Sequence, residues 1–233
     1  MSELFAIPRS IELLDSGTPV RAPDTMVYST APRLCNATDG LTYIVKGADD
    51  PDAVAAEAIG YTLAKLLDLE VPDFAVADGG RLFASQHVDG CFRDAAPFFE
   101  DHLPAIARVI MLDILLFNDD RNVGAFVAHP KRGLVALDFE KSKVVRLRYP
   151  LVELPTLDPK KVWPRGALRE IAGRCKMPTD FRNRIEQLTD VTLRSVVRGV
   201  AQAVPTYTWG DASELALRSR RDSFRKLVAE VWR

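Results

Sequence analysis

Residues 104–126 read PAIARVIMLDILLFNDDRNVGAF, and the reading of this stretch decides the fold. From 104 to 117 the only charges are Arg108 and Asp113. A helix that is apolar around its whole circumference is buried on all sides, so this one is the axle of a lobe. It delivers Asn118, Asp119, Asp120, Arg121 and Asn122 into a loop. AFVAHPKRGLVALDF (125–139) follows as a hairpin that turns at Pro130–Gly133, and its second strand ends in Asp138. A short connection thus brings two carboxylate positions together.

Upstream, TMVYST (25–30) and LTYIVK (41–46) are β-rich and alternate apolar with polar. APRLCNATDG between them has turn chemistry, so the two runs form either a hairpin or two neighbouring strands. DAVAAEAIGYTLAKLLDL (52–69) has helical spacing and opens with Asp50-Pro51. DFAVAD and RLFASQHV are strands around Gly79-Gly80. From 153 onward the chain reads as helical, with helices over 166–175, 179–189, 191–203 and 211–232. Asp211 and Glu214 form a capping-box pattern for the last of these. The expected fold class is α+β: a small β-rich lobe with one helix over 1–89 and a larger helical lobe over 90–233.

The 233 residues are 47% hydrophobic and 27% charged, which excludes wholesale disorder and coiled coil. A net charge of −1 gives no global basic field for nucleic acid or an anionic membrane. The basic run RSRRDSFRK (218–226) reads as the solvated face of an amphipathic helix. Three cysteines far apart, without a CxxC pair, support neither a disulfide framework nor a structural zinc site. The amino terminus lacks the basic and apolar regions of a secretory signal, and no apolar run spans a bilayer. The expectation is a soluble cytoplasmic protein with reduced thiols.

Lys46 closes an apolar strand and Glu57 lies early in the next helix. Each alone reads as an ordinary solvated residue. Together, a strand lysine and a helix glutamate can hold an ammonium in place for nucleotide phosphates. In the Asn118–Asn122 cluster with Asp138, one carboxylate can orient or deprotonate a hydroxyl. The other can hold Mg²⁺ through oxygen.

YIVKG, AAEAIGYTLAKLLDLEVPDFAV, RLFASQHVDG, DILLFNDDRNVGAF and LVALDFEKS, in this order, resemble the HipA-like kinases, which have a two-lobed protein-kinase-like fold. The resemblance covers roughly 25–142, and AVPTYTW (203–209) is similar to a later element of the family. It implies ATP and Mg²⁺ as cofactors and an unidentified protein substrate carrying a Ser/Thr hydroxyl. It implies that Lys46 contacts the α/β-phosphates and that Glu57 anchors Lys46. Asp120 would be the catalytic base, Asn118 would shape its loop, and Asp138 would be the principal metal ligand. Ser85, Gln86, His87 and Val88 would form the hinge for adenine. The family has a metal-binding Asn where this chain has Ala125, so Asn122 or Asp119 would have to substitute. The histidine that often follows Asp-Arg is here Asn122, and no glycine-rich loop is evident over 29–40. These departures carry the alternative reading, a pseudokinase acting as a nucleotide-sensing or protein-interaction module.

Overall fold

The computed structural model describes residues 8–20, 31–47, 50–146 and 167–232. Its amino-terminal region is built from β1 (Arg9–Ile11), β2 (Thr18–Pro19), β3 (Arg33–Asn36), β4 (Thr42–Lys46), α1 (Pro51–Leu66), β5 (Phe74–Ala77) and β6 (Leu82–Gln86). The strands form one sheet in the order β1-β5-β6-β4-β3-β2. β1 runs parallel to β5, and the other neighbours are antiparallel. The stretch read as a turn divides in two. Arg33–Asn36 is a strand, because Leu34 and Cys35 find cross-strand partners in Ile44 and Tyr43. The chain turns at Ala37–Gly40, where Gly40 has φ +79°. The strand expected over 25–30 and the helical reading over 153–166 fall outside the described residues.

The rest comprises α2 (Leu103–Leu116), a hairpin of β7 (Phe126–His129) and β8 (Gly133–Ala136), α3 (Lys143–Arg146), α4 (Ala167–Ala172), α5 (Thr179–Glu186), α6 (Asp190–Ala203), α7 (Gly210–Asp222) and α8 (Phe224–Val231). α2 is buried almost throughout, as its composition dictates. The single helix expected over 211–232 breaks at Ser223 into α7 and α8. Its capping box does not form. α7 starts after Trp209 with no side-chain cap, and Glu214 is drawn inward to the guanidinium of Arg194 at 3.0 Å.

Asp50 caps α1 by accepting from the Ala53 N–H at 2.9 Å, with Pro51 in the first turn where no intrahelical donor is needed. Every residue from Ala53 to Ala64 is buried, because α1 packs against the sheet on one side and α2, α3 and α6 on others. A second, smaller apolar cluster of Cys35, Ala37, Tyr43, Val45 and Ala84 packs with Ile11, Leu13 and Leu82. No helix among the described residues is long and apolar enough to cross a membrane.

Gly60 lets α1 approach the segment after β8. A Cβ there would lie 2.4 Å from Phe139 Cβ and 2.5 Å from Phe139 Cγ. Gly60→Ala gains up to about 1 kcal/mol of helix propensity but overpacks a site that typically costs about 1–3 kcal/mol. The ring also packs edge-on against Tyr61 at 5.4 Å, so it has little freedom to retreat. The expected net loss is up to about 2 kcal/mol, read as a lower urea midpoint at unchanged slope. A midpoint above wild type overturns the close-packing argument.

Candidate active site

Lys46 is the last residue of β4, and its side chain is only 14% exposed. Its ammonium forms an ion pair with Glu57 and lies 3.2 Å from Asp138 and 3.6 Å from Glu140. Glu57 is buried, and its second oxygen accepts from the Phe139 N–H at 2.8 Å. The helix glutamate therefore ties the strand lysine to the backbone just after Asp138. One ammonium faces three carboxylates whose oxygens lie within 4.8 Å of one another. Burial works against the charge on Lys46, but Asp138, Glu57 and Glu140 outweigh it and hold its pKa well above that of a free lysine. Burial also pushes the Glu57 carboxyl up to about 7, against the opposing pull of Lys46. Asp138 stays below the usual carboxylate range, because Lys46 and Arg121 overcome the burial penalty.

The loop after α2 is held from behind. Asp113, in the last turn of α2, is fully buried and receives two bonds from Arg121, Nε and Nη2 each at 2.8 Å. Asn118 Nδ2 donates to Asp113 at 2.9 Å and, less closely, to the Asp138 carbonyl at 3.4 Å. Arg121 Nη1 donates to the carbonyls of Leu137 and Ala125, and the guanidinium lies 4.8 Å from the Phe139 ring centre. One buried ion pair thus joins the end of α2, the polar loop and the segment after β8 that carries Asp138. Phe117 (φ +50°) and Asp138 (φ +64°) both adopt the left-handed conformation. It is uncommon for non-glycine residues and persists where the surroundings fix it.

Asp119 turns to Lys143, with which it forms an ion pair, while Asp120 is half-buried. Asn122 is exposed and serves its own turn. Its Oδ1 accepts from the Gly124 N–H, and its Nδ2 donates to the Asp120 carbonyl, each at 2.9 Å. Ala125 is buried, and its carbonyl accepts from Leu137 N–H at 2.9 Å.

Ser85 is buried on β6, with Oγ 3.4 Å from the Ile44 carbonyl. The amides of Gln86 and His87 are taken by Asp73 and Thr42 carbonyls, and the His87 ring meets Asp89 at 2.9 Å. A hollow of about 850 Å³ reaches Lys46 and Glu140, with Val45, Gly47 and Leu82 also lining it. Gln86, His87 and Val88 line a different hollow of about 300 Å³ with Asp73 and His129. The structure brings Lys46, Glu57, Asn118 and Asp138 together and places the end of β6 on a separate hollow.

This arrangement can hold a phosphate-directed ammonium and an oxygen-ligated cation side by side. Residues 25–131 match the HipA-like kinase family. The HipA-like match spans Lys46, Glu57 and the loop through Asn122, and it ends before Asp138. The crystal structure of a Helicobacter pylori proinflammatory kinase, CtkA, is similar over 97% of this chain and 97% of its own, with a TM-score of 0.57 at 10% identity. That likeness shows a shared kinase fold: a β-sheet amino-terminal region on a helical carboxy-terminal region. No curated protein matches the chain.

Three residues of the site and its support were missed in the sequence. Glu140 was legible as a second carboxylate two positions after Asp138, in LDFEKS. Arg121 was read only as part of a motif, although the helix residue Asp113 needed a partner. Arg220 was assigned to a solvated face but is fully buried. It sits on the same stripe as Leu217, Phe224 and Leu227, and that spacing was the signal.

Proposed function

We propose that this protein is an ATP- and Mg²⁺-dependent phosphotransferase of the HipA-like type that acts on a protein Ser/Thr hydroxyl. The observation that carries the reading is a half-buried lysine, fixed by Glu57 and set beside Asp138. The family match and the kinase fold support a kinase-type phosphotransferase. In this reading Lys46 binds the α/β-phosphates, and Glu57 keeps its ammonium in place. Asp120 orients the acceptor hydroxyl and receives its proton, on a loop that Asn118, Asp113 and Arg121 hold. The hinge expected at Ser85–Val88 does not enter this reading, because the Gln86 and His87 amides are taken by Asp73 and Thr42 and Gln86–Val88 line the separate hollow. Asp138 and Glu140 fit Mg²⁺ by donor chemistry, since carboxylate oxygens are its preferred protein ligands. Glu140 then takes the place that Ala125 cannot fill, while Asn122 remains in its turn. When bound with ATP, Mg²⁺ neutralises charge on the transferring phosphoryl group. Catalysis is positioning and electrostatic stabilisation.

Melting with and without nucleotide tests the reading. Mg-ATP at about 100 Kd adds about 2.7 kcal/mol, a rise of roughly 5–11 °C for a chain of this size. Asp138→Asn is expected to lose the Mg²⁺-dependent part of that rise, and Glu140→Gln a smaller share. No rise in wild type at saturating Mg-ATP overturns the reading. The pseudokinase alternative rests on Ala125. Tight Mg-ATP binding without transfer of labelled phosphate to the protein itself or to any lysate protein would establish it.

A further inference from the structure

We propose that Arg220, on α7, is a positioning residue for phosphate transfer: its guanidinium closes the carboxyl end of α2 and fixes the backbone that launches Asn118–Asp120. The inference rests on the phosphotransferase reading above.

An α-helix leaves its last four carbonyls without intrahelical donors. At the end of α2 these belong to Ile114, Leu115, Leu116 and the cap residue Phe117, since the Asp113 carbonyl still accepts from the Phe117 N–H. The Asn118 N–H adds a second bond to the Asp113 carbonyl at 2.9 Å, the Phe117 N–H makes a long 3.4 Å bond to Ile114, and the Lys143 N–H donates to the Phe117 carbonyl. Ser142 Oγ donates to Leu116 at 2.9 Å. Arg220 supplies the remainder: Nε lies 3.1 Å from the Ile114 carbonyl and 2.9 Å from that of Leu115, and Nη2 also donates to Ile114. A cation is favoured at this end of the helix dipole. The planar fork of arginine reaches two carbonyls at once, which lysine cannot do in one fixed geometry.

The next residue shows what this closure fixes. Phe117 is left-handed, a conformation an aromatic residue adopts only when its surroundings hold it. The Arg220 guanidinium lies 5.1 Å from its ring centre, and Lys143 Nζ lies 5.4 Å from it. Lys143 also donates its N–H to the Phe117 carbonyl at 3.2 Å and pairs with Asp119 through its ammonium. Only Leu116, Phe117, Asn118 and Asp119 separate the bonds of Arg220 from Asp120. A side chain needed merely to pack α7 on α2 would carry no polar group here, since burial lowers the guanidinium pKa to about 9.

Hydrogen exchange and steady-state transfer, measured on Arg220→Met and Arg220→Lys, test the proposal. Arg220→Met is expected to speed exchange of the Phe117, Asn118 and Lys143 amides roughly tenfold or more, with β4 and α1 amides unchanged. Its kcat is expected to fall roughly 10–100-fold, with KM for ATP within about twofold of wild type. Arg220→Lys keeps the charge without the fork and should fall between. Should the Met variant not fold, the Lys variant decides by the same readings. Unchanged exchange at those three amides overturns the proposal. So does a rise shared equally by α1, α7 and α8, which marks general loosening, or wild-type kcat despite a loosened loop. Absence of transfer in wild type strikes the phosphotransferase reading instead, and the exchange pattern still reports whether Arg220 fixes the loop.

Discussion

Asp120→Ala is expected to lower kcat for phosphate transfer by roughly 10²–10⁴-fold while leaving Mg-ATP affinity within about twofold of wild type. A group that orients an acceptor hydroxyl acts mainly in the transition state, so its loss appears in kcat and not in nucleotide binding. Asp119 is the internal control. Its carboxylate pairs with Lys143, which places it in the support of the loop. Asp119→Ala is therefore expected to cost less than about tenfold in kcat. The measurement is labelled-phosphate incorporation at matched nucleotide occupancy. An Asp120→Ala protein that transfers like wild type overturns the assignment, and so does an Asp119→Ala defect as deep as that of Asp120→Ala.

The largest stability effect is expected at the buried pair behind the loop. Asp113 and Arg121 have no exposed side-chain surface and meet through two parallel bonds. Removing one partner of such a pair leaves an uncompensated buried charge and costs about 3–5 kcal/mol. Asp113→Leu should thus lower the melting temperature by roughly 6–20 °C. Often an apolar replacement of both partners restores the loss. Here Asp113→Leu with Arg121→Met should restore it only in part, because Arg121 also serves the Leu137 and Ala125 carbonyls. Calorimetry on both variants is the check. A double variant as stable as wild type would show that those carbonyl bonds add nothing.

How much was legible follows from range along the chain. The apolar run of α2, the Asp50-Pro51 start of α1 and the β5–β6 hairpin are local patterns, and each forms as composition and spacing dictate. Lys46 at the end of β4, Glu57 within α1, Asn118 just past α2 and Asp138 just past β8 were legible as positions from the order of the elements, and the family resemblance supplied their reading as one site. Arg33–Asn36 was not: four residues in turn-rich text become a strand only when Tyr43 and Ile44 lie opposite.

Sequence alone determined the order of a strand lysine, a helix glutamate, a polar loop after an apolar helix and a carboxylate after the next hairpin, and the resemblance supplied their reading as a kinase-like site. Only the tertiary structure decided that Glu57 is buried, that Glu140 joins Lys46 and Asp138, and that Arg121 and Arg220 turn inward. Whether a charged side chain faces water or a buried partner depends on groups brought from afar. Arg220 meets carbonyls 105 and 106 positions away, and Glu57 an amide 82 positions away. Desolvating a charge is tolerable only where such partners converge, and no local pattern encodes that convergence.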